Sequence, residues 1–379
     1  MNNRGTAANE NFFLVGYPGV EHVGAHLQHA AQAMGLRTLF FNAAEAFVAR
    51  AWQAKLNWWL RGHLPVRLQE FSEQIVDACR KFQPRRLVST GLAPIESWAL
   101  ESIGKLGIQR VNYLTDDPWN RAHRAPWFMK ALPFYDHVFS TRRVNLNDLQ
   151  RAGCPKVSYL PFAYNPSLHF PDPPATPAEQ AQFAADVAFV GGGDADRVPW
   201  IAALSKAGFK VALYGGYWER YAQTRTLTRG YADPWAMRKA VGAAKLSLGL
   251  VRRANRDGNS MRTFEIPAIG AAMLVEDTEE HRDIFGEEGQ AVVYFQTKEE
   301  LIRKIKWLLP NDGERARLAQ SSYRMMVSGR NTYRDRLQVL LGLPAVDSAG
   351  REPGENATPP EYRYDPAQQS FASVENLDS

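Results

Sequence analysis

Cysteine is nearly absent: 379 residues carry only Cys79 and Cys154, too far apart for ligand-like spacing. A disulfide framework and a zinc site are both excluded as organising principles, and a reducing compartment is expected. Long apolar runs are missing too, and none approaches the roughly 20 residues that a membrane span needs. The opening stretch "MNNRGTAANENFF" has no apolar signal-peptide core, so the expected location is cytoplasmic. No repeat of solenoid period is visible.

What is present is ordinary globular composition, 45% hydrophobic and 22% charged, with ten tryptophans and a net charge of +5. The charge is uneven. Residues 347–379 hold seven acids against Arg351 and Arg363, a net of −5, which leaves +10 on the rest. That tail is rich in proline and polar residues and reads as disordered over 346–379. The basic remainder suits a phosphate-bearing ligand or an anionic surface, without choosing between them.

Strand and helix patterns alternate along most of the chain. "NFFLVGYPG" (11–19) reads as a buried strand entering a glycine turn, followed by a helix near 22–34 and the strand "RTLFFNA". Further strands fit "RRLVST", "QRVNYLT", "DHVFST" and "VSYLPFA". After the proline-rich passage 160–180, strands fit "DVAFVGG", "FKVALYGG", "KLSLGLV", "AAMLVED" and "QAVVYF". Helices fit 197–207, 233–244, 260–269, 278–285 and 298–309. Asp233-Pro234 signals one helix start and Thr297 with Glu300 a capping box. Such alternation predicts an α/β protein of two parallel, doubly wound Rossmann-like domains facing across a cleft. We expect an N-terminal domain over 10–165, a linker over 166–184 without regular helix, and a C-terminal domain over 185–345.

Ligands of open parallel sheets bind beyond the strands' carboxyl ends. Gly191, Gly192 and Gly193 follow a strand there, and their bare backbone suits a phosphate as well as a tight turn. Arg197 stands at the next helix start. "LVRRANRDGNSMR" adds Arg252, Arg253, Arg256 and Arg262, either a phosphate clamp or a solvated basic loop. Arg262 at a helix N-terminus is electrostatically misplaced by about 0.3–1 kcal/mol, so an anion is expected beside it. Asn259 and Ser260 are N-cap types. Glu265, one turn on, either pairs with Arg262 or takes ribose hydroxyls. Pro267 weakens the helix before Gly270 stops it. The acids Asp194 and Asp196 read as a helix cap rather than a metal site.

In the first half, Asp116 and Asp117 lie past a strand among Trp119, His123 and Trp127, as helix-capping acids or as a general base. His137, inside a strand, reads as structural. "FVARAWQAKLNWWLRGHL" (47–64) puts Trp52, Leu56, Trp59 and Leu60 on one helical face, for core packing or for a peripheral membrane contact at the inner face.

Residues 185–340 resemble the CgeB-like, spore-maturation type glycosyltransferases of the GT-B superfamily. The likeness lies in "FVGG" followed by Arg197, "GNSMRTFEIPAIGAAMLVED", "TKEELIRKIKWLLPNDGERARLAQSSY" and "NTYRDRLQVLL". The linker "YLPFAYNPSLHFP" is similar to the inter-domain connection of such enzymes, and "YLTDDP" is the best match in the first half. The resemblance implies a nucleotide-sugar donor held by the C-terminal domain, with no obligatory metal or other cofactor. It also implies a saccharide, lipid-linked or protein acceptor, no nucleic-acid partner, and a cell-surface or spore glycan as product. It places Glu265 at the ribose and Asp257 at the position of a second, usually glutamate, acid. Thr263 falls within the same motif. Arg197 and Arg262 would stabilise the leaving diphosphate, and Asp116 or Asp117 would serve as base. A non-catalytic bilobal binding protein and a GT-B-fold epimerase or phosphorylase are the competing readings.

Overall fold

A computed structural model describes residues 11–50, 57, 62–123 and 125–344. Among these, 11–161 with 333–344 form one compact unit and 162–332 another.

The first unit is built on six parallel strands: β1 (Asn11–Gly16), β2 (Arg37–Asn42), β3 (Arg86–Thr90), β4 (Gln109–Leu114), β5 (His137–Ser140) and β6 (Val157–Tyr159), in spatial order β2-β1-β3-β4-β5-β6. Helices cover both faces, which is why the strands read as apolar runs rather than alternating ones. The helix Leu68–Phe82 shows how the sequence does this. Leu68, Phe71, Ile75, Val76 and Cys79 recur at helical spacing and are all buried, while Glu70, Asp77 and Arg80 form ion pairs on its outer side. The strand β6 stops at Tyr159, short of the predicted 157–163, because Pro161 cannot extend a ladder.

The second unit has β7 (Ala185–Val190), β8 (Val211–Tyr214), β9 (Ala244–Gly249), β10 (Met273–Glu276) and β11 (Val293–Phe295), again all parallel, in order β11-β10-β9-β7-β8. The five helices expected there lie within a residue or two of observed ones, while the helix Asp312–Ser328, the longest in the unit, was not among those expected. Asp233 caps its helix by accepting from Ala236 N–H at 2.7 Å. Thr297 accepts from Glu300 N–H at 3.1 Å, yet the Glu300 carboxylate takes the N–H of Gln296 instead of Thr297, so the capping box closes one residue early.

Two expectations change. The passage over 166–184 is not devoid of helix, since Pro177–Phe183 is helical. Proline at N1 costs no hydrogen bond, and Thr176 caps by accepting from Glu179 N–H at 3.2 Å. The passage is also clamped to the second unit. Arg238 donates to Asp172 and to the Leu168 carbonyl, and buried Lys239 donates to Asp172 and the Pro173 carbonyl. The second correction concerns the chain's last described helix, Tyr333–Leu340, which belongs to the first unit and not to a domain running to 345. Tyr333 stacks on His26 at 4.7 Å, and Arg336 and Tyr113 both donate to the Pro161 carbonyl. Most of the 47–64 face, with Trp52, Leu56, Trp59 and Leu60, lies outside the described residues, as does the 346–379 tail. No helix among the described residues is long and apolar enough to cross a membrane.

Candidate functional site

In the second unit the functional candidates gather at the carboxyl ends of β7, β9 and β10. Gly191 has φ +157°, and an added Cβ would press on Phe189 at 3.1 Å. At Gly193 it would meet buried Trp218 at 2.8 Å. The glycine turn is therefore demanded by packing as well as by any ligand. The N–H groups of Gly191 and Gly193 are spent on the Tyr214 and Gly216 carbonyls at 2.7 and 2.9 Å. Trp218 Nε1 holds the Gly191 carbonyl at 2.8 Å. A cradle of three successive N–H donors, as the sequence suggested, is not formed; Gly192 is the position where an added Cβ finds only ordinary contacts.

Arg197 is buried. Its Nη1 and Nη2 donate to the carbonyls of Gly192 and Leu250, both at 3.1 Å, and its guanidinium lies over Phe189. Burial first, then neighbouring Arg252, lowers its pKa from the ordinary value, although a guanidinium stays cationic. Asp194 caps the turn, accepting from the N–H of Asp196 and Arg197 at 3.0 and 2.8 Å, as the capping reading expected. The same carboxylate lies 3.6 Å from Arg197 Nε and 3.8 Å from Arg252 Nε. Arg253 faces Glu276 at 3.6 Å. Acids thus accompany the arginines and fix their positions, so the site's value lies in preorganisation and not in excess charge. Asp257 lies half-buried in the same loop and acts electrostatically on Arg197.

The helix Met261–Ile269 supplies the anion that Arg262 calls for. Arg262 Nη1 donates to Glu265 Oε2, and its Nε donates to the Val190 carbonyl at the end of β7, 3.2 Å away. Glu265 is 1% exposed, so this is no surface pair. His169, from the proline-rich passage, brings Nε2 to 3.6 Å from Glu265 Oε1. Its Nδ1 accepts from the Asn165 N–H at 3.1 Å, which assigns the Nε2–H tautomer, and burial drives its pKa well down. The sequence reading missed His169; its one signal was a histidine between Leu168 and Phe170 in an otherwise breaker-rich passage.

Asn259 and Thr263, expected at the ligand, are both buried. Asn259 Nδ2 donates to Glu280. Thr263 Oγ1 accepts from the Ser260 N–H at 3.0 Å and meets His281 Nε2 at 3.0 Å, while His281 Nδ1 reaches the Glu276 carbonyl at 2.7 Å. Burial lowers His281 to about 4, so the ring is neutral. Nδ1–H then donates to Glu276, Thr263 donates to Nε2, and the head of the helix is tied to β10. Ser260 is the N-cap. Pro267 sits inside the helix, which continues to Ile269 and stops at Gly270.

In the first unit, Asp116 and Asp117 separate sharply. Asp117 is 1% exposed, and its Oδ1 accepts from the Trp119 N–H at 3.0 Å and from Asn145 Nδ2 at 2.9 Å. It caps a turn, as the capping alternative for this pair of acids expected. Asp116 is half-buried and accepts from Thr115 Oγ1 at 3.1 Å. Burial and the Asp116 charge both raise the Tyr17 hydroxyl. The Tyr17 ring lies 5.2 Å from His22, whose Nε2 is 3.5 Å from Glu21. Gly16 and Gly24 allow the following helix to abut β1, since a Cβ on Gly16 would meet the Gly24 Cα at 2.9 Å. Beneath, Arg142 is buried and donates to the Thr115 carbonyl at 2.8 Å. His137 is neutral and packed on Phe139, as the structural reading expected. Among the described residues no group of three or more His, Cys, Asp and Glu side chains is arranged to hold a metal ion.

Residues 197–342 match the family described as "Glycosyl transferase-like". No curated protein matches the sequence. Among solved structures, a sucrose-phosphate synthase from Thermosynechococcus elongatus is similar at TM-score 0.64 and 13% identity, over 88% of this chain and 97% of that one. Anabaena HepE in complex with UDP-glucose gives 0.59 and 12%, over 88% and 98%. A putative UDP-N-acetylglucosamine 2-epimerase from Listeria monocytogenes gives 0.54 and 12%, over 84% and 94%. These likenesses show the fold: two Rossmann-like α/β units of the GT-B type.

Proposed function

We propose that this chain is a CgeB-like glycosyltransferase that moves a sugar from a nucleoside-diphosphate donor to an acceptor hydroxyl. The observation that carries the reading is the pair Arg262–Glu265 at a helix head beside the glycine turn, Arg197 and Arg252, within the glycosyl transferase-like segment. Donor binding would exchange the Arg262–Glu265 bond for two others, guanidinium to diphosphate and carboxylate to ribose hydroxyls. As the acceptor oxygen bonds to the anomeric carbon, the bond to the diphosphate breaks and its electron pair leaves with the phosphate. Arg197, Arg252, Arg262 and the helix N-terminus would stabilise that charge without a metal. Asp116 would take the hydroxyl proton, Asp117 being engaged in its turn. The acceptor would be a saccharide, lipid-linked or protein hydroxyl.

Calorimetric titration with UDP, GDP, ADP and dTDP is the test, followed by incubation with the sugar nucleotide of whichever binds. Binding of one, with release of the nucleoside diphosphate from its sugar nucleotide, supports transfer. Interconversion of the sugar on the intact donor would instead make the protein an epimerase, and binding without turnover a binding protein. No binding by any of the four overturns the donor reading.

A further inference from the structure

Four non-glycine residues among those described have positive φ: His63, Gln83, Tyr217 and Arg256. Gln83 ends a helix and Arg256 closes a short 3-10 turn, where the left-handed conformation is routine. Tyr217 is different. It holds φ +74° directly after Gly215 and Gly216, where a third glycine would carry no strain. A bulky residue kept at such a position is a pointer to function.

The cause of the conformation lies next to it. Trp218 is fully buried under the glycine turn of β7, its Nε1 on the Gly191 carbonyl and its ring edge-on to Phe189 at 5.5 Å. Gly215 packs against the same turn, for a Cβ there would come within 2.4 Å of the Gly191 carbonyl oxygen. With Trp218 driven inward, Tyr217 turns to the rim. Its Cδ2 lies 3.7 Å from where a Gly192 Cβ would be, a point also 3.9 Å from Arg252 Nη2. The Arg220 guanidinium, on an exposed side chain, lies over the Tyr217 ring at 4.3 Å from its centroid. The guanidinium therefore backs the phenol ring through a cation–π contact.

We propose that Tyr217, backed by Arg220, is the platform on which the nucleobase of the donor stacks, and so helps to set which nucleoside diphosphate is taken. The proposal rests on the donor reading above. Strand order supports the polarity. Arg262 reaches the end of β7 from the β9–β10 side, whereas Tyr217 stands at the end of β8 on the other side of the same turn. Neighbouring strands are only about 4.8 Å apart, so one nucleoside spans the gap. A ribose at Glu265 carries a base at one end and a diphosphate at the other. The arginines that follow β9 suit the diphosphate, and the Tyr217 ring backed by Arg220 suits the base.

Calorimetry on wild type, Tyr217→Gly, Tyr217→Phe and Arg220→Ala, with UDP, GDP, ADP, dTDP and inorganic pyrophosphate, tests this. Tyr217→Gly is expected to weaken the best-bound nucleoside diphosphate roughly ten-fold, the scale of one base stacked on an aromatic ring. Pyrophosphate affinity should stay within roughly two-fold, and the melting temperature should not fall, because glycine accepts the left-handed backbone. Tyr217→Phe should bind as wild type does. Arg220→Ala, which leaves the backbone alone, should show a smaller loss of the same nucleotide and keeps the test open if glycine at 217 prevents folding. Nucleotide affinity unchanged in both Tyr217→Gly and Arg220→Ala, or an equal loss of pyrophosphate, overturns the platform and leaves the donor reading standing. A wild-type protein that binds none of the four nucleotides overturns both.

Discussion

The two units share a plan and diverge at their strand ends. Each opens with a buried strand, a glycine-containing turn and a helix, and each carries a wholly parallel sheet. In the first unit the glycines bring helix backbone onto strand backbone at Gly16 and Gly24. In the second they admit Trp218 and the neighbouring turn. Beyond that point the chemistry differs. The first unit offers Asp116, Tyr17 and His22 over a buried Arg142, groups suited to handling a proton and a hydroxyl. The second offers arginines held in place by acids, suited to a polyanion. Strand-end loops can change chemistry in this way at little cost to the sheet beneath.

The largest effect is expected where the second unit has buried a charge. Arg262→Ala strands the Glu265 carboxylate in the interior and should destabilise the protein by about 3 kcal/mol, seen as a lower urea midpoint. Glu265→Gln added to that variant should restore most of the loss, because the orphaned charge is removed. Nucleoside-diphosphate affinity should stay low in the double variant. If the second substitution recovers no stability, the pair is not a buried ion pair, and the contrast with the first unit weakens.

Most of the second unit's scaffold was legible in its sequence. Its five strands and the five helices expected with them announce themselves through apolar runs, caps and glycine stops, whereas the polar helix Asp312–Ser328 escaped. Roles were less legible than positions. Arg262 was expected beside an anion and Glu265 was offered as its surface partner; periodicity gave the shared face but not the burial of Glu265. Cap types and ligand types coincide at Asn259 and Thr263, and the contacts of these residues to Glu280 and His281 come only from the fold. His169 and Tyr333 depend on contacts far along the chain, which no local pattern encodes. The helix at Pro177–Phe183 was lost to the count of prolines, although proline at N1 starts helices as readily as it ends them.

Acid sharpens the comparison. His281 in the second unit and His137 in the first both sit neutral, each lowered by burial to about 4 from an ordinary 6.5. A depressed histidine stabilises fully above pH 6.5, and that stability is lost as pH falls through the folded-state value. For His281 the loss should reach roughly 3 kcal/mol near pH 4. His281→Gln should therefore flatten the fall of stability between pH 6.5 and 4. His137→Gln should flatten it less, since His137 borders solvent at 9% exposure while His281 is sealed at 1%. No flattening by His281→Gln would refute the assignment of His281 as the neutral member of the Glu276–His281–Thr263 chain.

The smallest stability effect carries the sharpest question about the first unit. Asp116 and Asp117 are adjacent in sequence and chemically alike, so only their surroundings can separate their roles. Asp117→Asn replaces an acceptor of two N–H groups by an amide in a sealed turn and should cost about 1 kcal/mol. Asp116→Asn keeps an acceptor for Thr115 at a half-open site and should change stability by less than about 0.5 kcal/mol. Turnover should reverse that ranking. Loss of a positioned base typically costs on the order of 10²-fold or more in rate, so Asp116→Asn should lose glycosyl transfer while Asp117→Asn, once folded, retains most of it. Nucleotide affinity should be unaffected in both, because the groups proposed for the donor belong to the other unit. If Asp116→Asn transfers sugar at the wild-type rate, the proton leaves by another group. His22, whose Nε2 already faces Glu21, is then the residue to replace.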